Sequence, residues 1–263
     1  MKSVLEEAHI KYVLVGAQVP LFMLMGDSAG SSQPGARETK DVDTAVSVNS
    51  WREFEQIKKQ LMKVGFVTPS GGPEHRLELG RGEVDLLPAG QKISNKGRII
   101  WPKSGQSMDI TGFAEAFEHA VETEISPGQR VPVAPLWVFV ILKIVAYEDI
   151  GRRKDAYDLV LVLQEYGVKD NRRFENIEII PEGMDYEFSG AFLCGYDVAK
   201  RAHSSTVSNV LSYLDKMLAS GEYAPIVDAM IREAGRLDDE AYRHTIFKLL
   251  ASFQAGLLTG QKG

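Results

Sequence analysis

Cysteine is nearly absent from this chain, and its scarcity excludes two kinds of stabilising site. Cys194 is the only cysteine among 263 residues. An intrachain disulfide needs two cysteines, and cysteine-based metal sites usually need at least two. We therefore expect neither a disulfide nor a cysteine metal cluster. The five histidines show no metal-ligand spacing either, at positions 9, 75, 119, 203 and 244.

Long apolar runs are also missing. The longest covers residues 136–142, whereas a membrane-spanning helix needs about 20 apolar residues. Residues 1–7 contain no apolar core of the kind that signal peptides carry. We therefore expect no membrane partner and a cytoplasmic protein. The length of 263 residues fits one large domain or two small ones.

An excess of basic residues is absent as well. Lysine and arginine number 30 against 36 aspartates and glutamates, which gives a net charge of −6. This balance argues against a protein coated for nonspecific binding to nucleic acid. The local cluster Arg152-Arg153-Lys154 nevertheless leaves tRNA as a candidate partner.

Two familiar motifs are missing or out of context. The P-loop pattern G-x-x-x-x-G-K-[ST] does not occur. Residues 26–30, G-D-S-A-G, match the G-x-S-x-G nucleophile elbow of serine hydrolases. That elbow places its serine between a strand and a helix. Because a helical pattern precedes Ser28 and residues 31–35 are poor helix formers, the context disfavours a serine hydrolase.

The chain does contain a pair of carboxylates in an unusual place. Asp41 and Asp43 open an apolar stretch rich in β-branched residues. In a strand, residues i and i+2 point to the same face, so the two carboxylates would project together. Like charges this close repel unless a cation lies between them, and carboxylate oxygens suit Mg²⁺ or Mn²⁺. The alternative is a solvated strand end, which the spacing alone favours.

A third carboxylate interrupts another apolar strand. Residues 76–79 and 83–87 predict the two strands of a hairpin, joined by a glycine-containing turn. Glu83 and Asp85 share one face of the second strand. Because an acid in an apolar strand is costly unless it is paired or bound to a metal, Asp85 is a further candidate ligand.

A glycine separates the first predicted strand from a helix. Residues 11–15 predict a buried strand, and residues 19–25 predict a helix. Gly16 between them would let a ligand approach the backbone closely, and the helix N-terminus would favour phosphate. A plain strand-to-helix turn is the alternative, and this feature alone favours it.

The rest of the chain is mostly helical in pattern. An amphipathic stripe predicts a helix over residues 51–64, capped by Asn49 or Ser50. Residues 131–135 predict an extended connector. Further helices are predicted over residues 112–121, 136–147, 155–166, 189–202, 206–218, 224–234 and 238–258.

One lysine lies inside the predicted buried helix that follows the connector. Lys143 either extends its ammonium group to the surface or meets an anion. Asp155 and Asp158 share one face of the next predicted helix. They could orient Lys143, and an ion pair with Arg152 or Arg153 is an equally good alternative.

Taken in chain order, these features resemble the nucleotidyltransferase superfamily, also called the polymerase-β-like fold. Its pattern is G-[GS] at a helix start, then D-x-[DE] on a strand, then a third acid on a later strand. Gly16, Asp41 with Asp43, and Asp85 follow this order. Ala17 departs from it, so no side-chain hydroxyl is offered to a phosphate there, although backbone N–H groups remain.

Within that superfamily, the chain is most similar to the AbiEii/AbiGii-type toxin family. Residues 37–43, R-E-T-K-D-V-D, resemble that family's R-x-T-x-D-[IL]-D. Residues 143–146, K-I-V-A, and residues 154–159, K-D-A-Y-D-L, have an arginine between them. Together they resemble the family's K-x-x-A…R…K-D-x-x-D-L segment.

The resemblance implies an α+β protein in which a nucleotidyltransferase-fold mixed sheet is flanked by helices. The core would cover residues 1–133, and a mainly helical domain of residues 134–263 would complete the active-site cleft. The implied activity moves an NMP from an NTP to an RNA end, as of tRNA, to a protein hydroxyl or to a small molecule. A toxin of this kind would have a cognate antitoxin as partner. The alternative is an inactive member that binds a nucleotide or a partner protein.

The resemblance also implies a role for each motif residue. Asp41 and Asp43 would bind Mg²⁺ or Mn²⁺. Asp85 would hold a second metal ion and help to deprotonate the acceptor hydroxyl. The residues expected to contact the nucleotide are Gly16, Ala17, Arg37, Thr39 and Lys143.

Overall fold

Two compact units make up the described part of the chain, which in this computed structural model comprises residues 1–25 and 41–262. One unit extends to Pro135, and the other begins at Leu136. The described residues form eleven α-helices and eight strands, and the strands all precede Pro135. The predicted α+β class with a helical C-terminal region is therefore confirmed.

Strands dominate the first unit. Its described residues form the helices α1 (Lys2–Glu7), α2 (Val19–Met25), α3 (Trp51–Lys63) and α4 (Phe113–Glu118). Its strands are β1 (Tyr12–Leu14), β2 (Asp41–Ser47), β3 (Arg76–Leu79), β4 (Gly82–Ala89), β5 (Arg98–Ile100), β6 (Ser107–Asp109), β7 (Val121–Ser126) and β8 (Gln129–Val133). Six of them form one mixed sheet in the order β3-β4-β2-β1-β8-β7, while β5 and β6 form a separate hairpin. In the sheet, β2 is parallel to β4 and antiparallel to β1.

The longest helix of the first unit shows how local sequence sets an element. Ser50 caps α3, because its Oγ accepts a hydrogen bond from the backbone N–H of Glu53 at 3.2 Å. Phe54 and Ile57 lie on the buried face of the helix. The chain leaves the helix at Gly65, whose φ of 101° favours glycine. These features confirm the predicted helix and its cap.

Seven α-helices form the described part of the second unit. They are α5 (Leu136–Ile150), α6 (Arg153–Glu165), α7 (Arg172–Glu175), α8 (Tyr186–Arg201), α9 (Ser204–Met217), α10 (Pro225–Glu233) and α11 (Glu240–Gln261). Helix α5 is central, since residues 137–145 are all buried. Helices α8 and α11 approach closely at two glycines. A Cβ atom on Gly195 would lie 2.0 Å from the carbonyl oxygen of Phe253, and one on Gly256 would lie 2.0 Å from that of Phe192.

The prediction of a connector over residues 131–135 is wrong in one respect. Most of this stretch belongs to β8, which is parallel to β1, with Leu14 opposite Val133, and antiparallel to β7. Pro132 weakens the strand pattern of β8, and β7 is largely exposed, so neither shows an apolar signal. The helix predicted over residues 112–121 is shorter than expected, because β7 already begins at Val121.

Within residues 1–25 and 41–262, no helix combines the length and the apolar character needed to cross a membrane.

Candidate metal centre

Strand register brings the three predicted carboxylates together. On the parallel neighbours β2 and β4, Asp43 lies opposite Asp85, and Asp41 lies opposite Glu83. Paired residues on neighbouring strands point to the same face of the sheet. One carboxylate oxygen from each of Asp41, Asp43 and Asp85 lies within 4.8 Å of the other two. The triad expected from the sequence is thus one cluster, with Glu83 beside it.

Gly16 makes room for this cluster. Just before it, the backbone N–H of Val15 donates to the carbonyl oxygen of Asp43 at 3.0 Å. A Cβ atom at position 16 would lie 2.0 Å from Oδ2 of Asp43 and 2.6 Å from its Cβ. Any larger residue would therefore displace the Asp43 side chain. The sequence predicts a close approach at Gly16 by a ligand, and the structure shows a close approach by an aspartate of the same chain.

Arg76 is a member of the cluster that the sequence reasoning missed. It lies opposite Asp85 on the antiparallel pair β3 and β4. Its Nε donates to Oδ1 of Asp85 at 2.8 Å, and its Nη2 donates to Oδ2 at 2.8 Å. Its Nη1 lies 2.7 Å from Oε2 of Glu83, and its Nη2 lies 3.8 Å from Oδ2 of Asp41. One guanidinium group thus contacts three carboxylates.

These contacts keep Arg76 charged. The hydrogen bonds to Asp85 raise the pKa of Arg76 well above its usual range, and the charges of Glu83 and Asp41 act in the same direction against the opposing effect of burial. The predicted hairpin contained the signal for this contact, since its register sets which residue of the first strand faces Asp85.

A cavity of about 270 Å³ lies beside the cluster. It is lined by residues 72–75 and by four residues of the segment 101–106. His75 joins the cavity to the cluster, because its Nε2 lies 3.7 Å from Oδ2 of Asp85. The imidazole packs on Trp101, with ring centroids 5.2 Å apart.

Among the described residues, the cluster contains four carboxylates and one guanidinium, and its donor atoms fit a hard cation. The side chains of Asp41 and Glu83 are 37% and 34% exposed. Oxygen-only carboxylate donors suit Mg²⁺ or Mn²⁺. The space at Gly16, which a single Cβ would fill, keeps the Asp43 carboxylate in the cluster. The residues present therefore fit a divalent cation.

Lys143 occupies a different kind of cluster, within the second unit. Its Nζ lies 2.9 Å from Oδ1 of Asp155 and 2.6 Å from Oδ2 of Asp158. Arg152 also pairs with Asp155, its Nε lying 2.8 Å from Oδ2. Burial alone would lower the pKa of Lys143, but the charges of Asp158 and Asp155 outweigh it and raise the pKa. Both pairings considered for Asp155 are therefore present at once.

Other predicted nucleotide contacts are only partly described. Ala17 lies between Gly16 and α2. Arg37 and Thr39 lie outside the described residues, as does Ser28 of the hydrolase-like motif. The role predicted for each of them stays a prediction.

Comparison with known proteins adds no assignment, because no protein-family model matches the chain and a search of curated proteins found no match.

Proposed function

We propose that this protein is a metal-dependent nucleotidyltransferase of the AbiEii/AbiGii type, with a nucleotidyltransferase-fold sheet in its first unit. The observation that carries the proposal is the convergence of Asp41, Asp43 and Asp85 from two parallel strands. Two acids at i and i+2 on one strand and a third on its neighbour match the acid pattern of that superfamily. The Gly16 contact with Asp43 supports it further, because it links the glycine motif to the acidic motif in space.

Each residue of the cluster has a task in such a reaction. Asp41 and Asp43, with Asp85, would hold Mg²⁺ or Mn²⁺, which when bound supplies positive charge to the phosphate oxygens and to the leaving pyrophosphate. In the transfer, the acceptor hydroxyl oxygen bonds to the α-phosphorus and the bond from that phosphorus to pyrophosphate breaks. Asp85, held by its two hydrogen bonds from Arg76, would help to deprotonate the acceptor hydroxyl. Gly16 and Ala17 offer backbone N–H groups to the phosphates.

The same resemblance implies three classes of acceptor. An RNA end, such as that of tRNA, a protein hydroxyl or a small molecule could receive the NMP, and an antitoxin would be the partner of a toxin. Arg37 and Thr39 are the further proposed nucleotide contacts, whereas the buried pairing of Lys143 with Asp155 and Asp158 favours a structural lysine. Ala17 favours one alternative, an inactive member that binds a nucleotide or a partner protein, because it offers no hydroxyl to a phosphate.

A transfer assay tests the proposal. The protein is incubated with each labelled NTP, Mg²⁺ and total cell extract, and label is followed into RNA, protein and small molecules. We expect transfer by the unaltered protein and a loss of about 100-fold or more in Asp43→Asn, because the site then lacks one charge that places the metal. Glu124→Gln, on the opposite edge strand β7, is the matched control and should retain transfer.

Other outcomes separate the alternatives. Thermal stabilisation by an NTP without any transfer would contradict the enzyme and support the inactive binding protein. Labelling of Ser28 by a fluorophosphonate probe would contradict both and point to a serine hydrolase.

A further inference from the structure

Several apolar side chains of the second unit are exposed between the end of α6 and the start of α8. Val168, Phe174, Ile177 and Tyr186 are 41%, 65%, 71% and 51% exposed. The rings of Phe174 and Tyr186 stack, with centroids 5.3 Å apart and planes inclined by 28°. Scattered exposed apolar residues are common, but a group that includes two stacked aromatic rings is typical of an interaction surface.

An open cavity of about 530 Å³ adjoins the stacked rings. Tyr186 and Phe188 line it from α8, Leu249 lines it from α11, and Val168 lies at its wall. Phe188 and Leu249 are themselves buried, so the floor of the cavity is apolar. Such a cavity can receive an apolar side chain of a partner, and side chains that fill pockets contribute most of the binding energy at protein interfaces.

Arg173 holds this surface in one shape. The side chain is buried, and its Nε donates to the carbonyl oxygen of Tyr166 at 2.8 Å. Its Nη1 donates to the carbonyl oxygen of Tyr186 at 3.4 Å, and the guanidinium lies 5.2 Å from the centroid of the Tyr186 ring. Arg173 therefore ties the end of α6 to the start of α8. A surface that is ordered in this way before binding loses less conformational entropy when a partner docks.

The charges of the same segment indicate which kind of partner fits. Residues 174–187 contain five acidic residues and no lysine or arginine. The five acids are all exposed, and they are Glu175, Glu178, Glu182, Asp185 and Glu187. Just before the segment, Arg172 pairs with Asp197, its Nη2 donating to Oδ1 at 2.9 Å. Exposed carboxylates attract lysine and arginine side chains and repel the phosphates of a nucleic acid.

We infer that this surface is a docking site for a basic, amphipathic segment of another protein. The apolar side chains of that segment pack on Phe174 and Tyr186 and enter the cavity, while its lysines or arginines pair with the carboxylates of residues 174–187. A second copy of this chain fits less well, because a two-fold contact would bring the two acidic segments together. The inference concerns the second unit alone and does not rest on the proposed transfer reaction.

A labelled model peptide tests the inference on the full chain. The peptide is an amphipathic helix of leucine and lysine, and its binding is followed by fluorescence anisotropy. We expect saturable binding that weakens as salt is added, and binding weaker by about tenfold or more in Phe174→Ser. Ile150→Ser is the matched control, since Ile150 is 61% exposed at the end of α5, and should bind as the unaltered protein does.

Two further measurements locate the contact and test its charge. On addition of the peptide, amide hydrogen exchange in the unaltered protein should slow in residues 168–187. A peptide with glutamate in place of lysine should bind more weakly by about tenfold or more, because its carboxylates would face those of the surface.

The opposite results would overturn the inference. These are no binding of the lysine peptide, equal losses in Phe174→Ser and Ile150→Ser, exchange slowed only outside residues 168–187, or equal binding of the two peptides. A dimer of the unaltered protein in sedimentation that Phe174→Ser abolishes would also overturn it, because the occupant would then be a second copy. If Phe174→Ser fails to fold by circular dichroism, Ile177→Ser is the second variant and should weaken binding in the same way. Each of these results leaves the proposed transfer reaction unaffected.

Discussion

Two charged clusters in this chain contain the same kinds of groups but differ in burial and in charge balance. In the first unit, the cluster around Arg76 contains four carboxylates and is partly exposed, with Arg76 at 27% and Asp41 at 37% side-chain exposure. In the second unit, Lys143 lies at 9% exposure between Asp155 and Asp158, at 5% and 6%. Among the described residues, the first cluster has acids in excess and is accessible to solvent, whereas Lys143, Asp155 and Asp158 of the second are buried.

Charge balance explains the difference in what each cluster can do. With the exposed Arg152 added, the described part of the second cluster contains two cations and two anions, so its charges cancel, and it joins α5 to α6. In the first cluster, the carboxylates outnumber the guanidinium among the described residues, and like charges this close repel unless a cation lies between them. The buried cluster therefore supports a structural role for Lys143, and the partly exposed one supports the proposed metal site.

The largest expected effect comes from breaking the balanced cluster. We predict that Lys143→Met lowers the free energy of unfolding by about 3–5 kcal/mol, because Asp155 and Asp158 would lose their buried partner. Urea unfolding followed by circular dichroism measures it. Combining Lys143→Met with Asp155→Asn and Asp158→Asn should recover part of the loss. An unchanged midpoint in Lys143→Met would contradict a structural role and favour the predicted nucleotide contact.

The same variant has a defined pH dependence. The folded-state pKa of Lys143 is raised above its unfolded value, which is about 10.4. Its stabilising contribution is therefore fully present below that value and is lost as pH rises through the folded pKa. The difference in unfolding free energy between the unaltered protein and Lys143→Met should stay constant from neutral pH to about 10 and then shrink.

The two clusters also show how far the sequence could predict the site. Asp41, Asp43 and Asp85 could be found because alternation along a strand places acids on one face of an apolar segment. Arg76 was missed because its partner depends on cross-strand register, which the sequence predicts only as far as the turn is known. The pairing of Lys143 stayed open because it depends on how α5 packs on α6, and no local pattern sets that.

The fold shows the same division between local and non-local information. Helix α3 could be predicted from its own amphipathic stripe, its cap at Ser50 and the glycine that follows its end, Gly65. The hairpin of β7 and β8 could not, because its place in the sheet comes from the pairing of Val133 with Leu14 and not from an apolar alternation of its own.

A change at Gly16 tests how the acidic cluster depends on the space beside Asp43. We predict that Gly16→Ala lowers Mn²⁺ affinity by about tenfold or more, because the new Cβ would displace the Asp43 carboxylate. The free energy of unfolding should fall by about 1–3 kcal/mol through overpacking. Gly82→Ala is the matched control, since its Cβ would meet only the carbonyl oxygen of Leu79, at 3.6 Å. Equal Mn²⁺ affinities in the two variants would show that Gly16 does not shape the site.

The smallest expected effect is a stabilisation of the metal-free protein. It is expected only where like charges lie close together. We predict that Asp41→Asn raises the free energy of unfolding by about 0.5–1 kcal/mol in EDTA, because Asp41 lies directly opposite Glu83 and the repulsion between them is removed. In saturating Mg²⁺ the order should reverse, since only the unaltered protein gains full stabilisation from the bound ion, about 2.7 kcal/mol at 100 times the dissociation constant. Parallel urea titrations with and without Mg²⁺ measure both effects, with Glu124→Gln as the control that should respond to Mg²⁺ as the unaltered protein does. If Asp41→Asn were destabilised in EDTA, the contact with Arg76 would outweigh the repulsion, and the acidic cluster would be structural like that of Lys143.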